Sequence, residues 1–357
     1  MSGSVSESTV SIIIPVRDGG SSFRECLKSV ESSDPVYEEI IVVTDEDTDD
    51  SRQVAESFDI GIKVVKPDAP GGPAKARNLG AHTAKGSILF FIDADVMIRR
   101  DAVSRVIAAF RNNPDLDALF GSYDDEPAEP NFLSQYKNLF HHYVHQRAHE
   151  DSGSFWSGCG AIRRDVFLKV GGFNEHFEHP SIEDIELGYR LRRKGFRTRL
   201  VKDLQVTHLK YWNTVGLLKT DIFDRALPWT YLILRYGRFI NDLNLKTSDR
   251  MSVVLLYLSM AALLGGFVSI GFVGAAGLGL GALFILNFNL YRFFQKKRGT
   301  FFALAVIPWH WLYLFYCGLA FSWGFAAFYL KEFFRGNRQA YDSTSVPERE
   351  TGRGFHA

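Results

Sequence analysis

The sequence contains few cysteines and no excess of charge of either sign. Its three cysteines among 357 residues are far apart and odd in number, which argues against a disulfide framework and favours a reducing compartment. Lys plus Arg and Asp plus Glu both number 41, so the formal net charge is zero and gives no indication of nucleic-acid binding. The segment Met1–Thr9 is polar and lacks a basic start followed by an apolar core, so no signal peptide is expected.

Charged residues are also missing from two long stretches near the C-terminus. Residues 252–291 and 300–330 contain no Asp, Glu, Lys or Arg, and a spanning helix needs about 20 apolar residues. We therefore expect about three transmembrane spans within 251–332, two in the first stretch and one in the second. The glycine-rich residues 271–281 are expected to form the turn between the first two. A buried soluble helical core is the less favoured alternative, because such helices rarely lack charge over this length.

The flanking charges give conflicting indications of topology. The segment Arg292–Arg298 is strongly basic and is expected on the cytoplasmic side, together with the N-terminal domain. A third span would then place the basic tail, with Lys331, Arg335 and Arg338, on the opposite side. Either one apolar segment does not cross, or the tail is an exception to the rule, and the sequence leaves both open.

Short apolar strands alternate with helices over the first hundred residues. The predicted strands are Val10–Val16, Ile40–Val43, Ile62–Val65 and Ile88–Ile92. We expect Ser21 or Ser22 to cap the first helix, and Gly72-Pro73 to open another. This alternation predicts an α/β domain with parallel strands whose carboxyl ends share one edge, where ligands bind. Asp18, Asp45 and Asp93 are therefore expected to converge there.

The order of elements changes after Asp95. Helices are predicted at 101–112, 132–149 and 181–194, and strands at 116–121, 155–162 and 198–206. The following segment, 212–250, mixes aromatic and basic residues, among them Arg238 and Phe239, which is typical of a segment at the bilayer surface.

The pair Asp93 and Asp95 ends the buried strand Ile88–Ile92. A D-x-D pair at such an edge can hold a hard divalent cation that bridges the phosphate oxygens of a nucleotide. Aspartate also simply ends many strands, so the pair by itself leaves both interpretations open.

Five motifs occur in an order and at spacings that resemble one enzyme family. They are VSIIIPVRD (10–18), GPAKARNLG (72–80), Asp93-Ala94-Asp95, GCGAIRR (158–164) with VGGFNE (170–175), and Glu183-Asp184. Together they resemble a family 2 glycosyltransferase of the GT-A fold over about residues 9–211. The resemblance implies a Rossmann-like mixed sheet that binds a nucleotide sugar, followed by C-terminal transmembrane helices. The expected domains are a catalytic domain (1–211), an interfacial segment (212–250), transmembrane helices (251–332) and a polar tail (333–357).

The resemblance also implies roles for individual residues. Asp95 and His208 are expected to coordinate Mg²⁺ or Mn²⁺ on the donor diphosphate, and Asp184, beside Glu183, to act as the general base. Contacts to a UDP- or GDP-sugar donor are expected from Pro15, Arg17, Asp18, Asp45, Lys75, Arg77, Asn78, Asp93 and Ala94. The pocket for the acceptor or the transferred sugar is expected to include Gly158, Cys159 and Gly160.

Simpler interpretations remain for several of these residues. Ser181 to Asp184 also has the pattern of a helix capping box. His208 can be a solvent-facing residue at a strand end, and Lys75 and Arg77 can lie on a solvated helix face.

Two further features do not follow the family pattern or have no role in it. Asp47 stands where the family has a serine after two adjacent aspartates, which leaves base recognition by Asp45 open. Three histidines recur every four residues on one predicted helix, a spacing that can bind metal. A surface stripe or an acceptor contact is the preferred interpretation of His141, His145 and His149.

The leading functional hypothesis is an inverting, metal-dependent transfer of one sugar to a hydroxyl of a lipid-linked or polyprenyl-linked glycan. The enzyme is expected in the inner (cytoplasmic) membrane, multi-pass, with its catalytic domain in the cytoplasm. A polyprenyl-phosphate sugar synthase is the closest rival, and a non-catalytic nucleotide-binding membrane scaffold is the alternative of another class. Processive polymer synthesis is not expected, because Asp221–Trp229 keeps an arginine but not the Q-x-x-R-W pattern of membrane-embedded polysaccharide synthases.

Overall fold

The N-terminal domain is built on one mixed sheet. The computed structural model describes residues 9–45, 48–237 and 243–344. The strands in this part of the chain are β1 (Val10–Val16), β2 (Glu39–Thr44), β3 (Ile62–Val65), β4 (Ile88–Ile92), β5 (Val96–Ile98), β6 (Ala118–Tyr123), β7 (Asp151–Ser152), β8 (Cys159–Arg163) and β9 (Thr198–His208). Their order across the sheet is β3-β2-β1-β4-β8-β6-β9-β5, and β7 pairs with β9.

Helices cover both faces of this sheet and continue beyond it. Those of the domain are α1 (Gly20–Glu31), α2 (Ser51–Glu56), α3 (Gly72–Thr83), α4 (Ala102–Asn112), α5 (Phe132–Arg147), α6 (Arg164–Val170) and α7 (Glu183–Arg193). The later ones are α8 (Thr214–Lys219), a π-helical segment (Thr220–Ala226), α9 (Leu227–Tyr236), α10 (Thr247–Gly265), α11 (Ile270–Leu286), α12 (Phe288–Arg298) and α13 (Thr300–Thr344).

The first four strands are parallel, as the alternating pattern predicts. β1 pairs with β2 on one side and β4 on the other, so that Ile12 lies between Ile40 and Phe90. The predicted serine cap of α1 is wrong: the helix begins at Gly20, whose N–H donates to Asp49 Oδ2 at 3.0 Å instead. The carboxyl ends of these strands therefore share one edge, as expected.

The second half of the sheet differs from the prediction at two points. The strand predicted at 155–162 begins only at Cys159, because Ser157 and Gly158 turn their backbone groups toward Asp184 and Asp93. The three-residue strand β5 was not predicted. It pairs antiparallel with β9 and puts Val96 opposite His208, which brings His208 beside the D-x-D pair.

The core has one apolar layer on each face of the sheet. Successive strand residues point to opposite faces, so Phe90 packs on the α1 and α4 side and Phe91 on the α3 and α6 side. The ring centroid of Phe91 lies 5.5 Å from that of Phe167 and 5.3 Å from that of Phe173. These contacts fix the loop after α6 against the end of β4.

The C-terminal apolar residues form an antiparallel hairpin and a long last helix. Gly271–Gly281 was expected to be the hairpin turn, which is wrong, because these glycines lie inside α11. The turn lies at residues 266–269 instead. A Cβ at Gly279 would lie 2.2 Å from Ser259 Oγ of α10, so this glycine serves close helix packing, as small residues do in apolar helices.

Two helices, Thr247–Gly265 and Thr300–Lys331, are long and apolar enough to cross a membrane. A third candidate arises if α11 and α12, which meet at 58°, count as one span. The chain returns to the N-terminal domain at the end of α12, where Lys297 pairs with Asp125 and Arg298 Nε donates to Gln135 Oε1 at 2.6 Å. Arg238 and Phe239 of the expected interfacial segment, and residues 345–357 of the expected tail, lie outside the described residues.

Candidate active site

Arg77 joins the end of β4 to the start of α7, and each of these carries carboxylates. Its Nη2 donates to Asp93 Oδ1 at 2.7 Å and its Nη1 to Glu183 Oε1 at 2.8 Å, and its side chain is only 6% exposed. Burial opposes the charge of the guanidinium, but the Asp93 and Glu183 carboxylates outweigh it and raise the pKa of Arg77. The end of β4 and the start of α7 are therefore held together by a buried, charge-assisted bridge.

Asp184 lies beside this bridge, half-buried at the start of α7. Its Oδ2 accepts from the Ser157 N–H at 3.2 Å and its Oδ1 from the Ile185 N–H at 2.7 Å. Burial and the neighbouring Glu183 carboxylate raise the pKa of Asp184 to about 7, although Arg77 acts in the opposite direction. A fixed carboxylate with a pKa near neutrality is well suited to accept a proton as a general base.

The alternative capping-box interpretation of Ser181 to Asp184 does not describe the start of α7. The helix begins at Glu183, and Ser181 Oγ donates to the carbonyl of Asp224 at 2.6 Å. The Ser181 N–H donates to Glu183 Oε2 at 2.9 Å rather than to Asp184. The Asp184 carboxylate is thereby left to face Ser157 and the edge of the sheet.

Asp95 and His208 face each other on the other side of the D-x-D pair. His208 Nε2 lies 3.5 Å from Asp95 Oδ2, and His208 Nδ1 lies 2.7 Å from Asn138 Oδ1. An amide oxygen only accepts, so His208 Nδ1–H donates to Asn138, and Nε2 is the ring atom that faces the carboxylate. Burial opposes ionisation of Asp95, but the nearby His208 outweighs it and lowers the pKa of Asp95.

This pair fits a divalent cation. Carboxylate oxygens and imidazole nitrogens both coordinate divalent metal ions, and adjacent ligands of an octahedral Mg²⁺ lie about 3 Å apart, close to the 3.5 Å between Asp95 Oδ2 and His208 Nε2. Among the described residues no group of three or more His, Cys, Asp or Glu side chains is arranged around a common metal position. A cation here would therefore take Asp95 and His208 from the protein and complete its shell with water and phosphate oxygens, as Mg²⁺ commonly does.

Asp45 and Asp18 end β2 and β1 at the same edge. Asp45 is 4% exposed, its Oδ2 accepts from the Gly72 N–H at 2.9 Å, and its Oδ1 is buried without a hydrogen-bond partner in the described part of the chain. Asp18 is tied into the loop, because its Oδ1 accepts from the N–H of Thr48 at 2.9 Å. Asp47, the departure from the family pattern, lies outside the described residues.

Several side chains expected at the donor are directed to other partners. Lys75 Nζ donates to the Ala69 carbonyl at 2.7 Å. The amide of Asn78 is fully engaged, since it binds both backbone groups of Phe173 and the Glu175 carboxylate. Asn78 and Arg77 therefore position the loop and carboxylates around the site. Of the other expected donor residues, Arg17 is exposed, and Pro15, Asp93 and Ala94 are half-buried at or near the strand ends.

The glycines expected in the acceptor pocket lie at the start of β8, against Trp156. A Cβ at Gly158 would lie 2.6 Å from the Trp156 ring, and one at Gly160 would lie 2.3 Å from the Trp156 carbonyl oxygen. Cys159 is fully buried in β8, and burial raises the pKa of its thiol. Gly158 and Gly160 thus make room for Trp156, and Cys159 is part of the buried core.

An aromatic group that the sequence analysis did not identify surrounds the Asp95–His208 pair. Tyr123 stacks on His208 with ring centroids 4.4 Å apart, and Trp156 meets Tyr123 edge-on at 4.7 Å. Trp156 is half-buried, so part of its ring reaches the surface. No motif marks these residues, and the pairing of β6 with β9 is what brings Tyr123 beside His208.

The three histidines at four-residue spacing do not form the surface stripe that we preferred. His145 is buried with its ring 5.7 Å from that of Trp156, and His149 is exposed. His141 Nε2 lies 3.1 Å from Arg225 Nη1 of the π-helical segment. Arg225 therefore contacts α5 through His141. The sequence analysis did not identify Arg225 as a site residue.

The comparisons with known proteins agree with this arrangement. The model of Glycosyl transferase family 2 matches residues 11–171, and that of the N-terminal domain of galactosyltransferase matches residues 138–212. An uncharacterized glycosyltransferase of Haemophilus influenzae is 25% identical over 245 residues, 65% of this chain and 79% of that protein. The glucosyl-dolichyl phosphate glucuronosyltransferase of Haloferax volcanii is 26% identical over 66% of this chain and 80% of its own length. The chain spans about half or less of several other curated relatives.

One solved structure shares the fold over most of the chain. The mannosyltransferase PcManGT of Pyrobaculum calidifontis, solved with GDP-Man and Mn²⁺, superposes with a TM-score of 0.60 and 18% identity, covering 88% of this chain and 87% of that one. This likeness confirms the predicted GT-A fold. The match of residues 11–171 to the family model and the names of the relatives lead to one conclusion: the chain is a glycosyltransferase whose N-terminal domain is similar to glycosyl transferase family 2.

Proposed function

We propose that the protein is an inverting, divalent-cation-dependent glycosyltransferase that moves one sugar from a nucleotide sugar to a hydroxyl of a membrane-held, lipid-linked glycan. The observation that carries the proposal is the buried Arg77 bridge. It holds Asp93, at the metal and donor side, and Glu183, next to Asp184, on one guanidinium. A donor bound at Asp93 and Asp95 would therefore present its sugar close to the Asp184 carboxylate.

In this mechanism Asp184 takes the proton of the attacking hydroxyl. The acceptor oxygen attacks the anomeric carbon once, from the side opposite the diphosphate. The new glycosidic bond forms as the bond to the nucleoside diphosphate breaks, which inverts the anomeric centre. The hydrogen bonds from Ser157 and Ile185 fix the carboxylate in one orientation. Such positioning lowers the barrier by pre-arranging the base against the acceptor oxygen.

The donor side requires charge neutralisation as the diphosphate leaves. A bound Mg²⁺ or Mn²⁺ would supply this charge, held by Asp95 and His208. The buried, unpartnered Oδ1 of Asp45 is suited to accept an N–H of a uracil or guanine base. The proposal of a UDP- or GDP-sugar is consistent with PcManGT, which was solved with GDP-Man and Mn²⁺.

The membrane helices favour an acceptor that is itself anchored in the bilayer. The basic end of α12 contacts the N-terminal domain through Lys297 and Arg298, and basic flanks lie on the cytoplasmic side. We therefore propose a membrane-bound enzyme with a cytoplasmic catalytic domain. The Haloferax relative is named for an acceptor that is a sugar on a dolichyl phosphate, a lipid-linked hydroxyl acceptor of the proposed kind.

The substitution Asp184→Asn tests the role of the base. We expect transfer to fall by about 10²–10⁴-fold, while binding of the nucleoside diphosphate measured by calorimetry stays within about threefold. Asp165→Asn, an exposed acid in the first turn of α6, is the matched control and should leave both unchanged. Transfer by Asp184→Asn within about threefold of wild type would contradict the proposed base.

The same variant distinguishes the proposed reaction from that of a polyprenyl-phosphate sugar synthase. A polyprenyl-phosphate acceptor is already an anion and needs no base, so a synthase of that kind would keep its activity in Asp184→Asn. A non-catalytic scaffold would show no turnover with any nucleotide sugar in the wild type. An enzyme is expected instead to lose turnover in Asp95→Ala.

A further inference from the structure

We propose that α13 lies along the membrane surface, flat against the catalytic domain, and does not cross the bilayer. The chain after α13 then stays on the same side as the catalytic domain. Only the α10–α11 hairpin would enter the bilayer deeply. This inference concerns the architecture and stands whatever reaction the enzyme catalyses.

The contacts of α13 with the domain extend over most of its apolar length. The ring of Phe302 lies 5.0 Å from that of Phe132 on α5, and the ring of Phe328 lies 6.3 Å from that of Tyr231 on α9. At 1.5 Å per residue these contacts are about 39 Å apart along the helix. The hydrocarbon core is only about 30 Å thick, so a crossing α13 would carry the contacted domain elements through the whole bilayer.

Of the contacted elements, α5 is part of the catalytic domain and α9 packs against it, so neither can be a separate span. α5 carries Asn138, which holds His208 at the metal pair. α9 packs Leu232 against Ile182 and Tyr189 of the region around α7. A helix that lies flat on both of them runs parallel to the surface that α5 and α9 form, which we call the base of the domain.

Charges at the middle of the contact give a second, independent argument. Tyr316, halfway along the apolar part of α13, donates to Asp221 Oδ2 at 2.7 Å, and Asp221 pairs with Lys137 at 2.5 Å. In a crossing arrangement this ion pair would lie near the bilayer centre, where ionised side chains are strongly disfavoured. In a surface arrangement it lies at the base of the domain.

The packing of α13 on α10 points the same way. The two helices meet where a Cβ at Gly318 would lie 2.5 Å from Tyr257 Cε2, and where Tyr257 donates to the Phe315 carbonyl at 2.8 Å. Tyr257 lies near the middle of α10. Farther along α10, Leu263 and Leu264 are 58% and 69% exposed. Two parallel spans would contact along their length, whereas here the contacts of α13 with α10 lie around Val253 and Tyr257, near the middle of α10.

The face of α13 that points away from the domain fits the boundary between headgroups and acyl chains. Trp323 is 71% exposed on this face, and exposed tryptophan favours that boundary. Basic residues precede and follow the apolar part, which suits anionic headgroups. Exposed apolar residues of α13 at helical spacing include Leu304, Leu312, Leu319, Trp323 and Leu330.

This arrangement removes the topological conflict seen in the sequence. The basic segment at the end of α12 and the tail with Lys331, Arg335 and Arg338 then lie on one side of the membrane. Both therefore obey the preference of basic residues for the cytoplasmic side.

Spin-label depth measurements on the full-length protein in phosphatidylethanolamine–phosphatidylglycerol liposomes test the proposal. Single cysteines are placed at Leu304, Leu312, Leu319 and Leu330 in a Cys317→Ser background, in which Cys26 and Cys159 are buried. We expect all four labels at one depth, within about 5 Å, near the headgroup boundary.

Labels at Leu278 and Ile285 of α11 are the control. Their depths should differ by about 10 Å, because seven residues of helix separate them. Leu319 at the bilayer centre, with Leu304 and Leu330 near opposite surfaces, would overturn the proposal.

The side of the tail provides a second measurement that does not depend on depth. A cysteine at Ser345 and one at Lys169, exposed in the catalytic domain, are labelled with a membrane-impermeant maleimide in inverted membrane vesicles. Both should react to the same extent before the vesicles are permeabilised. A tail that reacts only after permeabilisation, while Lys169→Cys reacts before it, would also overturn the proposal.

Discussion

Arg77 and Glu183 are 106 residues apart in the chain, and Arg77 Nη1 donates to Glu183 Oε1 at 2.8 Å. The second arm of the same guanidinium holds Asp93 at 2.7 Å. The pairing is buried on both sides, with 6% and 5% of the two side chains exposed. One arginine thus sets the distance between the donor edge of the sheet and the helix that carries Asp184.

Arg77→Met should destabilise the domain strongly. Removal of one partner of a buried pair leaves uncompensated charge and costs about 3–5 kcal/mol, and here two carboxylates lose their partner. The unfolding midpoint in detergent should fall accordingly. Lys28→Met, which removes an exposed pair with Glu25 at 2.7 Å, is the control and should change the midpoint little. Equal midpoints for the two variants would contradict the structural role of Arg77.

The rate of transfer should depend on the ionisation of Asp184. The base works only when deprotonated, and burial with Glu183 raises its pKa to about 7. The rate should therefore rise with pH and level off above about pH 7. In Glu183→Gln one of the charges that raise the pKa of Asp184 is lost, so the midpoint should move to lower pH, whereas Glu25→Gln should leave it in place. A rate independent of pH between about 5.5 and 8 would argue against Asp184 as the base.

Asn138→Ala should weaken the cation site without removing a ligand. Asn138 Oδ1 holds the Nδ1–H of His208, and loss of such a supporting contact typically costs about 10–100-fold in metal affinity. The Mn²⁺ concentration for half-maximal activity should rise by that factor, and excess Mn²⁺ should restore the rate. Asn113→Ala, at the end of α4, serves as the control. Full activity of the chelator-treated wild type would refute the cation requirement itself.

Gly72→Ala should impair donor binding, and Gly61→Ala should not. Both glycines have left-handed backbones, with φ of +73° and +67°, so the strain of substitution is matched. A Cβ at Gly72 would lie 2.1 Å from the Glu178 carbonyl oxygen, whereas nothing lies within 4 Å of one at Gly61. The clash also disturbs the Gly72 N–H bond to Asp45. The donor KM should rise at least tenfold in Gly72→Ala only, and equal values in both variants would show that the contact is unimportant.

Local pattern predicted the elements that depend on near neighbours in the chain. The four parallel strands appear where apolar β-branched runs end in turn residues, and their shared edge follows from the short connections between them. The predictions failed where distant contacts decide. Gly271–Gly281 was expected to be a turn, but these residues lie inside α11, where Gly279 packs against Ser259 of α10. For Asn78 and the glycines around Cys159, the structure shows contacts with the loop after α6 and with Trp156, and their contact with a ligand stays a prediction.

The sequence by itself determined the chemistry available to this protein: a D-x-D pair at a strand end, a carboxylate at a helix start and two stretches without charge. Those features depend on residue type and spacing, which the chain states directly. The tertiary structure alone decided which carboxylate Arg77 neutralises, that His208 faces Asp95, and that the last helix lies along the domain. These outcomes depend on pairings between segments dozens to more than a hundred residues apart, and a local pattern carries no information about which distant surface it will meet.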